Sequence, residues 1–259
     1  LFNTEYGVVE TTYTEADERY AAKRRSQKSS VRTRQLPGVS PLVFSRFLLE
    51  KTAFLSLSDM GKALPSYEEI PIACRMDEAV QSEYKRIENA LVRVLRSDRR
   101  VAQKILSAYL NLLTVYPDQP YDQKRIFYPD SDEPIVEPEN IGDTDTLGEK
   151  EQKTLEIVKA AIQNDEHALI YTSWVRTDSQ QKLKKLLTDE GYRTEILTDK
   201  IKTTDREDWV QKKLAAGMQV LIVNPSLVET GLDLNAFTTL VFYSMGYKLF
   251  TLRQASRRS

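Results

Sequence analysis

From residue 149 to the end, short apolar runs alternate with amphipathic stretches, and this alternation restricts the possible folds more than any other feature of the 259-residue chain. Residues 167–172, 193–197, 219–223 and 239–244 are short and rich in aliphatic side chains. Runs of that length and composition predict strands buried on both faces. Helical patterns lie between them. Leu155, Val158 and Ile162 fall on one face of a helix over about 151–163. Asp178 opens a second helix, which carries Leu183, Leu186 and Leu187 and closes at Gly191. Thr204 and Glu207 have the spacing of a capping box for a third, ending near Gly217. A final helix is predicted from about Leu249. Strands alternating with helices imply an α/β fold, a parallel sheet flanked by helices. Ligands of such sheets sit beyond the carboxyl ends of the strands. That places Ser173, Trp174, Thr198, Asp199, residues 225–234 and the chain from Gly246 onward at the candidate site.

The chain before residue 149 reads differently. Residues 1–40 are polar and basic: Lys23, Arg24, Arg25, Lys28, Arg32 and Arg34 occur with no acid between Glu18 and Glu50. Such a segment is usually solvated or flexible. The run from Lys23 to Arg34 can also grip phosphates, but no aromatic stands between Tyr20 and Phe44 for base stacking. Residues 41–148 read as a mainly helical region. Ser40 and Pro41 form a helix opening, followed by Val43, Phe44, Phe47 and Leu48 on one face. A short strand is predicted over 69–75. Val80, Tyr84, Ile87, Leu91, Val94 and Leu95 then repeat at helical spacing, as do Val101, Ile105, Tyr109 and Leu112. Residues 117–148 hold Pro117, Pro120, Pro129, Pro134 and Pro138 among many acids, and read as a loop leading into the domain of residues 149–259.

Composition narrows the function classes. Charged residues make up 29% of the chain and the net charge is −1, so any nucleic-acid surface must be local. The single cysteine, Cys74, rules out disulfides within the chain and fits a reducing, intracellular compartment such as the cytoplasm. With one histidine, His167, it cannot complete a His/Cys zinc site. No apolar run approaches the roughly 20 residues that cross a bilayer, and no membrane role is expected.

Four residues near the end carry the chemistry. Gly231 lets the backbone approach a bound group closely. Asp233, two residues on, can accept hydrogen bonds from a sugar hydroxyl. Gln254 and Arg258, four residues apart at helical spacing, can turn one face to a phosphate. Together they resemble the last two motifs of a superfamily 2 helicase or translocase. The resemblance is greatest to the Swi/Snf-like DNA translocases, whose final motif has the form Q-A-x-x-R-x-x-R. Other pieces follow in order. Residues 168–174 resemble motif IV. Leu197-Thr198-Asp199 with Arg206 resembles the family's "L-x-G … R" segment, with Asp199 where glycine is common. Residues 220–234 resemble motif V, and 254–258 the first part of motif VI. Upstream, Leu48, Leu49, Lys51, Asp59, Leu64, Pro65, Glu68, Glu69, Gln81, Glu83 and Tyr84 resemble the linker that follows the first lobe, although the acidic, proline-rich loop departs from it. Arg258 matches the first arginine of motif VI; the second would lie beyond Ser259, and the chain begins at Leu1. A piece of a longer protein, ending inside motif VI, is therefore expected.

The resemblance implies a RecA-like lobe from an ATP-dependent DNA helicase or translocase. In that family's terms Arg258 and Gln254 act in catalysis, Gly231 and Asp233 bind nucleotide, and Ser173, Trp174, Thr198 and Ser226 contact nucleic acid. ATP and Mg²⁺ would be held mainly by a first lobe. The implied partners are that lobe and double-stranded DNA, bound without regard to sequence. Two decoys are set aside: Asp77-Glu78 imitates a Walker B pair but continues into a helical pattern, and Gly61-Lys62 lacks the P-loop spacing. Residues 1–259 alone are therefore not expected to hydrolyse ATP. The competing readings are a non-catalytic RecA-like platform that docks nucleic acid or protein, a restriction or recombination helicase on the same fold, and an unrelated doubly wound domain.

Overall fold

The computed structural model describes residues 6–13, 31–53, 68–174, 178–228 and 232–246. The chain divides into two units, 1–70 and 71–259. In the first, β1 (Gly7–Tyr13) and β2 (Val31–Val39) pair antiparallel, with Gly7 opposite Val39 and Tyr13 opposite Val31. The basic segment thus contains a two-stranded ribbon that its charge hid from sequence reading. Ser40 then caps a helical run as predicted: its hydroxyl accepts the Leu42 N–H at 3.3 Å and Pro41 takes the first position. The run continues through a π turn, Phe44–Leu48, and a 3₁₀ turn, Leu49–Lys51.

The strand predicted over 69–75 does not form. Pro71 has no N–H to give a ladder, and Ile70 and Ile72 are exposed rather than packed. In the second unit, α1 (Glu78–Ser97) and α2 (Arg99–Val115) are separated by Asp98, whose carboxylate accepts the N–H groups of Arg100 and Val101 at 2.8 and 3.2 Å. Val80, Ile87, Leu91 and Val94 of α1 meet Ile105 and Leu112 of α2 in one core. The proline-rich stretch is more ordered than a plain loop. Its β3 (Ile126–Phe127) and β4 (Pro134–Val136) pair antiparallel and send Ile126 and Val136 into that core. Buried Glu83 clasps it: the carboxylate accepts two Arg86 N–H groups at 2.6 Å and the Glu139 N–H at 2.9 Å. Arg86 also donates to the Glu137 carbonyl at 2.6 Å.

The last zone is the predicted α/β domain, a RecA-like parallel sheet flanked by helices. Its elements are α3 (Glu149–Gln163), β5 (His167–Tyr171), α4 (Ser179–Asp189), β6 (Thr194–Leu197), α5 (Arg206–Ala215), β7 (Val220–Val223) and β8 (Phe237–Phe242). The strands lie in the order β6-β7-β5-β8, all parallel. Side chains alternate between the two faces. Leu169, Tyr171, Leu221, Val223 and Phe237 pack with Val210 of α5. Ala168, Ile170, Val220 and Ile222 pack with Val158 of α3 and Leu183 and Leu187 of α4. At the end of α4, Gly191 adopts φ of 90°, as a glycine cap requires. The Thr204 capping box is not made. Its hydroxyl donates to the neighbouring Asp205 carboxylate at 2.7 Å, a 3₁₀ turn (Thr203–Asp205) intervenes, and α5 starts only at Arg206. The helix predicted from Leu249 lies outside the described residues.

Candidate functional site

Because the four strands are parallel, their carboxyl ends share one edge of the sheet. The polar residues that follow each strand are joined there by hydrogen bonds. The Tyr243 and Ser244 N–H groups both donate to the Tyr171 carbonyl, at 3.0 and 3.3 Å. Ser173 N–H donates to Ser244 Oγ, and Ser173 Oγ to the Ser244 carbonyl, each at 2.9 Å. Asn224 Nδ2 donates to the Ser173 carbonyl at 3.1 Å. Its Oδ1 in turn accepts the Ser226 N–H at 2.9 Å and the Ser226 hydroxyl at 2.6 Å. Arg206 ties on the outer strand: Nη1 donates to the Leu227 carbonyl at 2.7 Å and Nε to the Ile201 carbonyl at 3.2 Å. The arginine of the "L-x-G … R" segment thus braces the turn after β7 against the turn after β6.

The structure therefore brings Ser173 and Ser226 together through Asn224. Trp174 follows Ser173 and is half-buried, and Thr198 sits half-buried after β6. Asp233 lies on the connection from β7 to β8. Leu232 and Leu234 on either side of it are buried, so it points outward, and its carboxylate accepts the Asn235 N–H at 3.2 Å. Gly231, Gln254 and Arg258 lie outside the described residues. Sequence reasoning missed Asn224 and Ser244, the two hubs of the edge; the one signal available was a buried strand ending directly in a polar side chain. It also missed an open groove of about 480 Å³ beyond Thr198, lined by Lys200, Lys202 and Lys212, by Asp205 and Asp208, and by the half-buried Trp209. Among the described residues these three lysines have no carboxylate partner, whereas Lys213 of the same helix pairs with Glu195 at 2.5 Å.

A buried layer of charge lies on the α3–α4 side of the same edge. Lys182 Nζ and the Tyr243 hydroxyl both donate to Glu151 Oε1 at 2.9 Å. The Gly148 N–H donates to Glu151 Oε2 at 3.0 Å, capping α3. Burial alone would raise the Glu151 carboxyl, but the hydrogen bond and charge of Lys182 outweigh it and hold the pKa below the ordinary value. Burial first, and the Glu151 charge second, push the Tyr243 phenol far up, so it stays a proton donor. Asp118, paired with Lys150 at 2.5 Å, is nonetheless raised, because its burial outweighs that lysine. Among the described residues no group of three or more His, Cys, Asp or Glu side chains could hold a metal ion, and no helix is long and apolar enough to cross a membrane.

A four-stranded parallel sheet flanked by helices, with its polar residues gathered at the carboxyl edge, is a RecA-like α/β lobe. Residues 149–259 match the helicase conserved C-terminal domain family. Among solved structures the chain is similar to the C-terminal part of the Fun30 ATPase domain, at 12% identity and TM-score 0.53 over 71% of this chain and 77% of that one. It is also similar to the Sulfolobus solfataricus SWI2/SNF2 ATPase C-terminal domain, at 16% identity and TM-score 0.50 over 66% and 68% of the two chains. At such identities the likeness concerns the fold. No curated protein matches the chain in sequence.

Proposed function

We propose that this chain is the C-terminal motor part of an ATP-driven, Swi/Snf-like translocase on double-stranded DNA, acting inside the cell. The observation that carries the reading is the hydrogen-bonded edge Ser244–Ser173–Asn224–Ser226 on a helicase C-terminal domain. Nucleotide binds between this lobe and a first lobe carrying the phosphate-binding loop, which residues 1–259 lack. Asp233, held outward by its buried neighbours, contacts the ribose, and Gly231 allows the close approach. Gln254 orients the γ-phosphate. Arg258 stabilises the charge that develops on it, an effect worth a factor of about 10³–10⁵ in related phosphoryl transfers. Mg²⁺ is assigned mainly to the first lobe, as the family resemblance implies.

Ser173, Trp174, Thr198 and Ser226 face DNA. In the structure Ser173 Oγ donates inward to Ser244 and Ser226 Oγ to Asn224. Each hydroxyl must therefore exchange an internal acceptor for a phosphate oxygen on binding. The unpaired Lys200, Lys202 and Lys212 extend this contact without reading bases, so affinity should fall steeply with salt. The test is a DNA-stimulated ATPase assay of the full-length parent beside Arg258→Ala. A fall of about three orders of magnitude or more in kcat is expected; equal rates would remove Arg258 from the mechanism. Purified residues 1–259 should show no DNA-stimulated hydrolysis, and a measurable rate free of contaminants would overturn that assignment.

A further inference from the structure

We infer that Tyr243, with Glu151 and Lys182, is a positioning device for the DNA-facing edge. The inference rests on the proposed role of that edge. The triad joins three elements that are remote in sequence: the start of α3, the first turn of α4 and the residue just past β8. Glu151 and Lys182 are 4% and 7% exposed. A buried ion pair is weak support for stability, since apolar side chains of equal volume often serve as well or better. What it supplies is direction. Glu151 is satisfied by three donors at once, and that arrangement fixes one placement of the Tyr243 ring. Lys150 lies over the same ring at 4.3 Å while its ammonium pairs with Asp118 of the proline-rich stretch. The neighbouring Gln119 accepts the Asp178 N–H at 3.1 Å, where α4 begins. The upstream region is thereby coupled to the same triad.

The next residue carries the consequence. Ser244 Oγ accepts the Ser173 N–H, a bond that persists when the Ser173 hydroxyl leaves the Ser244 carbonyl for a phosphate, so the backbone held by Tyr243 sets where Ser173 sits. Tyr243 touches no substrate in this scheme. It acts through Ser244 on Ser173.

The experiment uses the full-length parent and compares wild type, Tyr243→Phe, Ser173→Ala and the double variant. It measures the duplex DNA concentration that half-saturates ATPase activity, together with kcat at saturating DNA and the KM for ATP. Tyr243→Phe keeps the ring and removes the hydroxyl. It should raise the half-saturating DNA concentration about tenfold, the scale of one hydrogen bond to a charged group. The kcat and the KM for ATP should change less than about twofold, since loss through Ser173 alone affects DNA binding only. The double variant should bind DNA no worse than Ser173→Ala. An unchanged half-saturation in Tyr243→Phe, or a multiplied loss in the double variant, would overturn the inference. A Ser173→Ala protein that binds DNA like wild type would instead sink the DNA role of the edge itself. If Tyr243→Phe does not fold, Glu151→Gln carries the test: it keeps an acceptor oxygen but not the charge, and should shift half-saturation about threefold, against no shift if the inference is wrong.

Discussion

The α1–α2 pair and the parallel sheet bury their apolar residues in different ways. Each helix of the pair gives one face to a shared core, which leaves Leu106 and Leu110 of α2 45% and 42% exposed. In the sheet, β5 and β7 are covered on both sides, and every residue from Ala168 to Tyr171 and from Val220 to Val223 is buried. A strand covered on both faces has no flank for polar chemistry. Its polar groups are driven to the ends, which is where Ser173, Asn224 and Ser244 meet. A helix keeps a polar flank along its length, and it can also carry a polar group on its buried face: Glu83, in line with Val80 and Ile87, holds the proline-rich stretch from there. The same physics gives a structural clasp in one region and a candidate binding edge in the other.

Substitutions can break or sharpen this contrast. The largest effect is expected from Leu221→Ala in β7, which should cost about 2–5 kcal/mol in denaturant unfolding, as full burial on a packed face demands. Glu83→Ala leaves Arg86 and the Glu139 N–H without their acceptor and should cost about 1.5–3 kcal/mol, with faster amide exchange around residue 139. Asn224→Ala removes one bond between the ends of β5 and β7 and two within the turn after β7. A loss of about 1–3 kcal/mol is expected, with exchange accelerated at Ser226 rather than in the strands. Acid should act next. The Glu151 and Glu83 carboxyls are depressed: burial works against this, but Lys182 and Arg86 prevail. A depressed acid contributes stability that is present above its unfolded value, about 4.3, and lost as pH falls through its folded pKa. Asp118, raised by burial, acts in the opposite sense, and its contribution is lost as pH rises through its folded pKa. The melting temperature should therefore drop between about pH 5 and about pH 3, and Glu151→Gln should flatten that slope. Leu106→Ala, on the uncovered flank of α2, should change stability by no more than about 0.5 kcal/mol. A much larger loss would mean that this flank is covered.

The sheet was legible because buried parallel strands announce themselves as unbroken apolar runs; β5 and β7 fall inside their predicted spans, and β8 starts two residues before its own. The ribbon of β1 and β2 was not, since its strands are 17 residues apart and their pairing is a non-local event. The apolar run within 69–75 misled for the converse reason: the run was there and Pro71 denied it a ladder. At the site, strand-end logic located Ser173, Thr198 and Ser226. It did not reveal that Asn224 and Ser244 join them, because those bonds span 51 and 71 positions of chain. Nothing in the sequence sets Glu151 and Lys182 apart, and only packing shows them to be buried partners.

Strand β5 is laddered to β7 along one side and to β8 along the other. It cannot slide along its own axis without parting both ladders together. A pull applied at Ser173 therefore spreads over three strands and is met by a stiff plate. Under the proposed motor role, a swing of this lobe would pivot in the connecting segments and carry the plate whole, so the spacing between Ser173 and Asn224 should be the same with and without nucleotide.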